Sequence, residues 1–341
     1  MAAVLISDAR ALQEDFLPRE VQHRDSEVNA IARALRPAVR GEPADDVFLH
    51  GPSGAGKTCI ARHSIERLDS ETDVEVGYVN CWNDYTRYRV LYSMLEDVGR
   101  TVDVHRRSTP RDVLYDRLRD VDEPYVVALD EVDQLEDPEV LYDVYSLPSV
   151  TMVMIANDRS EFLAGLDDRL NSRLVVGEEV RFEPYSVDAL VDILGERARL
   201  GLYPDAVTES QLRLIADRAA GDARVAIGAL RVAARRADSE ALDEIPDDYV
   251  RDAVPEAETE IRTRTLDSLN EHQRVVYDVV REQGEAEPAD VYEAYERRVE
   301  APKTKRTLRN YLSKMAQYDL VDAEGEGRGR VYRVRDPELG A

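Results

Sequence analysis

The stretch GPSGAGKT, Gly51 to Thr58, constrains this chain more than any other, because it dictates a local fold and a ligand together. It fits G-x-x-x-x-G-K-[ST], with the apolar run VFLH before it and the helical stretch CIARHSIERL after it. Gly51, Gly54 and Gly56 let the backbone curl until its N–H groups face an anion, and the following helix adds its partial positive end. Lys57 would reach the β- and γ-phosphates of a nucleotide, and the Thr58 hydroxyl would sit on Mg²⁺. The phosphate-cradling set is Gly51, Ser53, Gly54, Ala55, Gly56, Lys57, Thr58 and Cys59. The alternative is a merely structural glycine turn.

The surrounding pattern supplies the partners such a loop needs. VEVGYVNCW, YVVALDE and VTMVMIAND are short runs of strand character, and TRYRVLYSMLEDVG and RDVLYDRLRDV have the spacing of amphipathic helices. Such alternation predicts a parallel sheet with helices on both faces. At the end of one apolar run, Asp130 is suited to hold Mg²⁺, and Glu131 to polarise an attacking water; a solvated strand end is the alternative. Asn157 closes the next strand, either touching the γ-phosphate or capping the strand. Arg169 and Arg173 share a helical face, or pair locally with Asp167 and Asp168. Beyond EVRFEPY the strands stop, and Ser186 to about Val254 is helical throughout. Within it GDAR, Gly221 to Arg224, opens a helix from which Arg224 could swing onto the nucleotide.

The charge balance bears first on one class of partner. With 45 basic and 70 acidic residues the net charge is −25, which argues against a nonspecific nucleic-acid binder. The lysines number four (Lys57, Lys303, Lys305, Lys314) against 41 arginines. That bias fits a cytoplasm of high salt, where the Debye length falls to ~3 Å at 1 M, or an acidic protein from a high-GC genome. Residues 300–335 reverse the sign, with nine basic residues against five acidic ones. No apolar run reaches the ~18 residues of a membrane span, and MAAVLISDARALQEDF lacks a secretory pattern. Cys59 and Cys81 form no CxxC pair. A cytoplasmic, nucleoid-associated protein without a membrane partner is expected.

The last block reads as three helices and a Gly-rich hairpin, the order of a winged helix-turn-helix. TKRTLRNYLSKM would be the recognition helix. Arg306 and Arg309 suit bidentate contacts to guanine, while Lys303, Lys305 and Lys314 suit phosphates. The EGEGRGR tip would put Arg328 and Arg330 on the wing. A winged helix used only for protein contacts is the alternative.

In their order, the P-loop, the Asp-Glu pair, Asn157, the Ser172-Arg173 pair and GDAR resemble the AAA+ ATPases. With the winged-helix block, the chain resembles archaeal origin-recognition/cell-division-cycle-type replication initiators, from roughly Asp15 to Arg335. The resemblance implies an α/β AAA+ P-loop base (1–184), a helical lid (185–255) and a C-terminal winged helix-turn-helix domain (256–341). It implies ATP/ADP and Mg²⁺ as cofactors, with phosphate binding by Lys57, metal binding by Thr58 and Asp130, and Glu131 as catalytic carboxylate. Asn157 becomes sensor 1, Arg224 sensor 2 and Arg173 the arginine offered to a neighbouring copy. DFLPREVQHRDSEV resembles the family segment that packs on adenine, making Val21, His23 and Arg24 adenine-side candidates. The family's DNA-touching insertion should fall near residues 99–112, with Arg106 and Arg107 facing DNA or lying in a plain solvated loop. Implied partners are double-stranded origin DNA, the replicative helicase and other initiator copies. A nucleotide-gated transcription regulator and a clamp-loader-type ATPase are the competing readings.

Overall fold

The computed structural model describes residues 5–42, 44–102, 104–105, 109–174, 177–325 and 329–336. Arg106, Arg107 and Arg328 lie outside the described residues. The chain divides into two compact units, Met1–Val254 and Pro255–Ala341.

In the first unit, helix α1 (Asp25–Leu35) precedes strand β1 (Val47–His50), and the P-loop leads into α2 (Lys57–Glu71). Then follow β2 (Glu75–Asn80), α3 (Arg87–Asp97), α4 (Arg111–Arg119) and β3 (Tyr125–Asp130). After them come α5 (Glu139–Tyr145), β4 (Val150–Ala156), α6 (Arg159–Gly165), α7 (Asp168–Leu174) and β5 (Glu178–Arg181). The five strands form one sheet in the order β2-β3-β4-β1-β5, with all four neighbouring pairs parallel. Period-two alternation sorts the residues of β3 between the two faces. Val126 and Ala128 pack with Ile31, Ile60 and Ile65. Val127 and Leu129 pack with Leu91, Met94, Leu118 and Leu141. Because β3 is covered on both sides, its six residues are all buried, as its near-continuous apolar run predicts.

The lid helices are α8 (Val187–Gly201), α9 (Glu209–Arg218) and α10 (Ala223–Ser239). Residues 5–16, counted with the base in the sequence reading, are tied to these helices instead. Leu5 N and Ile6 N donate to Asp238 Oδ1, Ile6 bridges Leu202, and Arg197 donates to the carbonyls of Ala11 and Phe16. The physical reason is that Leu5, Ala11 and Leu12 need an apolar partner, and each is buried.

Helix α11 (Asp247–Asp267) includes the stretch PEAETEIRTRT, which the sequence marks as a connection by composition. Its Glu, Ala and Arg residues are good helix formers, and they carry the chain through Pro255. The second unit continues with α12 (Glu271–Gln283), α13 (Pro288–Glu296), α14 (Lys305–Gln317) and an antiparallel pair, β6 (Val321–Glu324) and β7 (Val331–Val334). Ala286 bridges Tyr332 and so joins the segment after α12 to that hairpin. Leu308, Tyr311, Leu312 and Met315 bury one face of α14 against Val276, Val280 and Val291, leaving Lys305, Arg306 and Arg309 exposed.

Candidate functional site

Parallel strands deliver their carboxyl ends to one edge of the sheet, and the site lies there. His50, Asp130 and Ala156 end their strands at that edge, and each is followed by a residue of the predicted set: Gly51, Glu131 and Asn157. The P-loop closes on itself through Lys57. Its Nζ donates to Gly51 O (2.7 Å), Pro52 O (2.8 Å) and Asn157 Oδ1 (3.0 Å). Asn157 O also accepts from Gly51 N, so Asn157 acts as a brace for the loop as well as a strand end.

All three motif glycines sit at positive φ, and a Cβ on Gly51 would lie 2.2 Å from the Phe182 carbonyl oxygen. A Cβ on Gly54 would lie 2.0 Å from Asp222 Oδ1, and one on Gly56 would lie 2.4 Å from the Tyr185 hydroxyl, both at positive φ. The loop is therefore a backbone cradle closed by the lid, the form that takes an anion on N–H groups. Burial pushes the Lys57 ammonium down to about 8 against the pull of Asp130, which leaves a cation short of solvation and in want of an anion.

Asp130 is 2% exposed, and burial pushes its carboxyl up. Thr58 Oγ1 donates to its Oδ2 at 2.7 Å, so the two residues assigned to metal sit side by side. Glu131 has φ of 56°, a left-handed conformation unusual for a side chain with a Cβ. It lines, with Ser53, Gly54, Gly56, Lys57, Thr58, Cys59, Asn157 and Arg224, a cavity of about 380 Å³. Arg224 enters from the first turn of α10, where the Asp222 carboxylate caps the N–H groups of Arg224 and Val225.

The remaining assignments divide. Val21 lines the cavity, whereas His23 and Arg24 do not. His23 adopts φ of 59° and reaches Asp192 on α8 at 2.8 Å. Arg24 turns behind the loop, donating to Ala55 O and Glu183 O and lying over the rings of Tyr185 (4.1 Å) and Phe182 (5.3 Å). Reasoning from sequence missed the apolar wall made by Phe16, Leu17, Pro18, Tyr185, Ile193 and Ile227; the DFLP stretch was its only local signal. It also missed Tyr78 and Arg62, which line the same cavity. Arg169 pairs with Glu139 (2.6 Å), not with Asp167 or Asp168, and lies over Tyr142. Arg173 lies over Tyr142 and Tyr145 and takes no part in lining the cavity.

In the second unit, Thr304 caps α14 by accepting from Thr307 N. Lys305 lies 4.9 Å from the Tyr292 ring, and Lys303 N donates to the Tyr295 hydroxyl. Lys303 and Lys314 are half-buried, and Arg330 is exposed. Arg333 and Arg335 pair locally, with Glu285 and with Asp319 and Asp322, so the exposed basic surface belongs mainly to α14. Among the described residues no helix is long and apolar enough to cross a membrane.

Comparison with known proteins agrees with this geometry. Residues 43–170 match the AAA domain family, and residues 191–255 match the Cdc6 AAA+ ATPase-type lid domain. ORC1-type DNA replication protein 9 of Halobacterium salinarum is 52% identical over 334 residues, covering 97% of this chain and 94% of that protein. ORC1-type DNA replication protein 1 of the same organism is 50% identical, covering 90% of this chain and all of that protein. The structure of the Aeropyrum pernix ORC1 protein in complex with DNA superimposes with a TM-score of 0.75 at 28% identity, covering 97% of this chain and 93% of that one.

Proposed function

We propose, from the premise that this chain belongs to the ORC1/Cdc6-type DNA replication proteins and is an AAA+ ATPase, that it is an ATP-dependent replication initiator. It would bind double-stranded origin DNA and help recruit the replicative helicase. The observation that carries the nucleotide half is the convergence of Lys57, Asp130, Glu131, Asn157 and lid Arg224 on one cavity.

In this reading the loop N–H groups and Lys57 hold the β- and γ-phosphates, and the apolar wall of Phe16, Ile193 and Ile227 takes the base. Thr58 and Asp130 hold Mg²⁺, which supplies charge neutralisation at the phosphates when bound. Glu131 orients the attacking water and takes its proton. Asn157 and Arg224 read the γ-phosphate from base and lid, so ATP and ADP differ in what they ask of the lid. Arg173, held outside its own cavity, is placed for a neighbouring copy.

Lys57 makes this reading testable by pH. A bound polyphosphate keeps the ammonium charged, whereas the free site gives up the proton near pH 8. Binding above pH 8 must therefore take up a proton. ADP affinity is expected to fall roughly 25-fold between pH 7.5 and 9.5, following the charged fraction of a group that titrates at about 8, with proton uptake visible by calorimetry in buffers of different ionisation heat. Binding without proton uptake at pH 9 would remove Lys57 from the phosphates.

The DNA half rests on the exposed basic face of α14 and on the relative solved with DNA. A groove-reading arginine discriminates bases by ~1–3 kcal/mol, whereas a phosphate contact weakens all sequences alike. Replacing Arg306 and Arg309 by Ala should therefore cost about tenfold or more in discrimination between a cognate site and random DNA. Competition footprinting on genomic fragments at near-native salt, with and without ATP, measures it. Equal loss on every sequence would make both arginines phosphate contacts. Genome-wide sites confined to promoters would favour the transcription regulator.

A further inference from the structure

Asp130 accepts hydrogen bonds from two hydroxyls on one oxygen. Thr58 Oγ1 reaches Oδ2 at 2.7 Å, and the Tyr78 hydroxyl reaches the same Oδ2 at 2.8 Å. Thr58 belongs to the P-loop pattern, but Tyr78 comes from β2, where it sits in register with Ala128 of β3. Its ring lines the cavity, and the Arg62 guanidinium lies 5.5 Å from the ring centroid.

A phenol carries one proton to give and a carboxylate can only accept, so across the 2.8 Å contact it is Tyr78 that donates to Asp130. The backbone of Tyr78 is tied as well, its N–H donating to Asp97 Oδ2 at 3.1 Å.

We propose that Tyr78 is a positioning residue for the metal site: its hydroxyl holds the Asp130 carboxylate in the orientation that receives Mg²⁺. This deepens, and rests on, the reading of Thr58 and Asp130 as the Mg²⁺ residues. The argument turns on how many ties a buried carboxylate needs. A hydroxyl has one proton, so Thr58 can offer Asp130 only one bond, and that bond follows the Thr58 oxygen when it turns to a cation. Tyr78 supplies a second bond from β2, a strand held by its pairing with β3 and by the Tyr78 N–H on Asp97, and independent of the cation. Groups that orient metal-binding residues from behind typically account for 10–100-fold in metal affinity.

The test is ADP binding to the full chain by calorimetry, titrated with MgCl₂ from an EDTA-treated start, for the wild type, Tyr78→Phe and Asp130→Asn. Tyr78→Phe removes one oxygen and leaves the ring in place, and a thermal melt reports whether the fold is kept. The expected result is unchanged ADP affinity without Mg²⁺, and a half-maximal Mg²⁺ concentration raised about tenfold. An unchanged Mg²⁺ midpoint for Tyr78→Phe, with a shifted one for Asp130→Asn, overturns the proposal and makes Tyr78 a packing residue. Equal weakening with and without Mg²⁺ also overturns it, because Tyr78 would then be a nucleotide contact. If Asp130→Asn leaves the Mg²⁺ dependence unchanged, the metal reading itself fails. Should Tyr78→Phe melt early, the same titration is run below its melting onset, with ADP affinity in EDTA as the check that the site is folded; no shift of the Mg²⁺ midpoint there counts against the proposal.

Discussion

Lys57→Ala is expected to lose nucleotide binding by a factor of about 30 to 4,000. Truncating one partner of a buried, hydrogen-bonded charge pair costs about 2–5 kcal/mol, and each 1.4 kcal/mol is tenfold. The loss should be specific to the ligand, not to the fold. Lys57 is 7% exposed, and burial already drives its ammonium towards the neutral form. The folded protein therefore gains little from that charge when no anion is present. The variant leaves Gly51 O, Pro52 O and Asn157 Oδ1 without the ammonium that joins them, so the loop should loosen locally while the sheet stays intact. ADP calorimetry together with a thermal melt separates the two effects. Tight ADP binding in a well-folded variant would sink the phosphate assignment.

Glu131→Gln is expected to bind ATP normally and to turn it over more slowly by a factor on the order of 10²–10⁴, the usual weight of a general base. The substitution is close to isosteric, and glutamine meets the same left-handed backbone at φ of 56°, so no strain is added or relieved. What disappears is the capacity to take a proton beside the residues assigned to phosphate. Single-turnover hydrolysis with ATP in place measures the chemical step apart from product release. Unchanged hydrolysis would take Glu131 out of the reaction.

The sequence was most legible where chemistry is local. The P-loop, the β3 run with its terminal acids and the capped helix at GDAR each declare themselves within about ten residues, because a strand end and a helix start fix side-chain direction without help from afar. The adenine-side assignments near residue 23 show the limit. Val21, His23 and Arg24 are neighbours in sequence, yet the left-handed turn at His23 sends them to three places: the cavity, Asp192 and the back of the P-loop. No spacing rule encodes that turn. Tyr78 was hidden for a different reason. Its partner lies 52 residues away on the next parallel strand, and only the register of β2 against β3 brings the two together. The wall of the cavity is hidden in the same way, because it sets Phe16, Leu17 and Pro18 against Tyr185, Ile193 and Ile227 from a distant part of the chain.

The Gly54–Asp222 approach has a mechanical consequence. Ala223 N donates to Gly54 O at 3.1 Å, and Asp222 leaves no room at Gly54 for more than a hydrogen atom. The lid rests directly on the P-loop, like a pawl on a tooth. A change in loop conformation on gaining or losing phosphate must then shift the start of α10, and any force that lifts α10 must distort the loop. Nucleotide release and lid movement become one motion, so a partner that pulls on the lid could discharge the nucleotide without touching it.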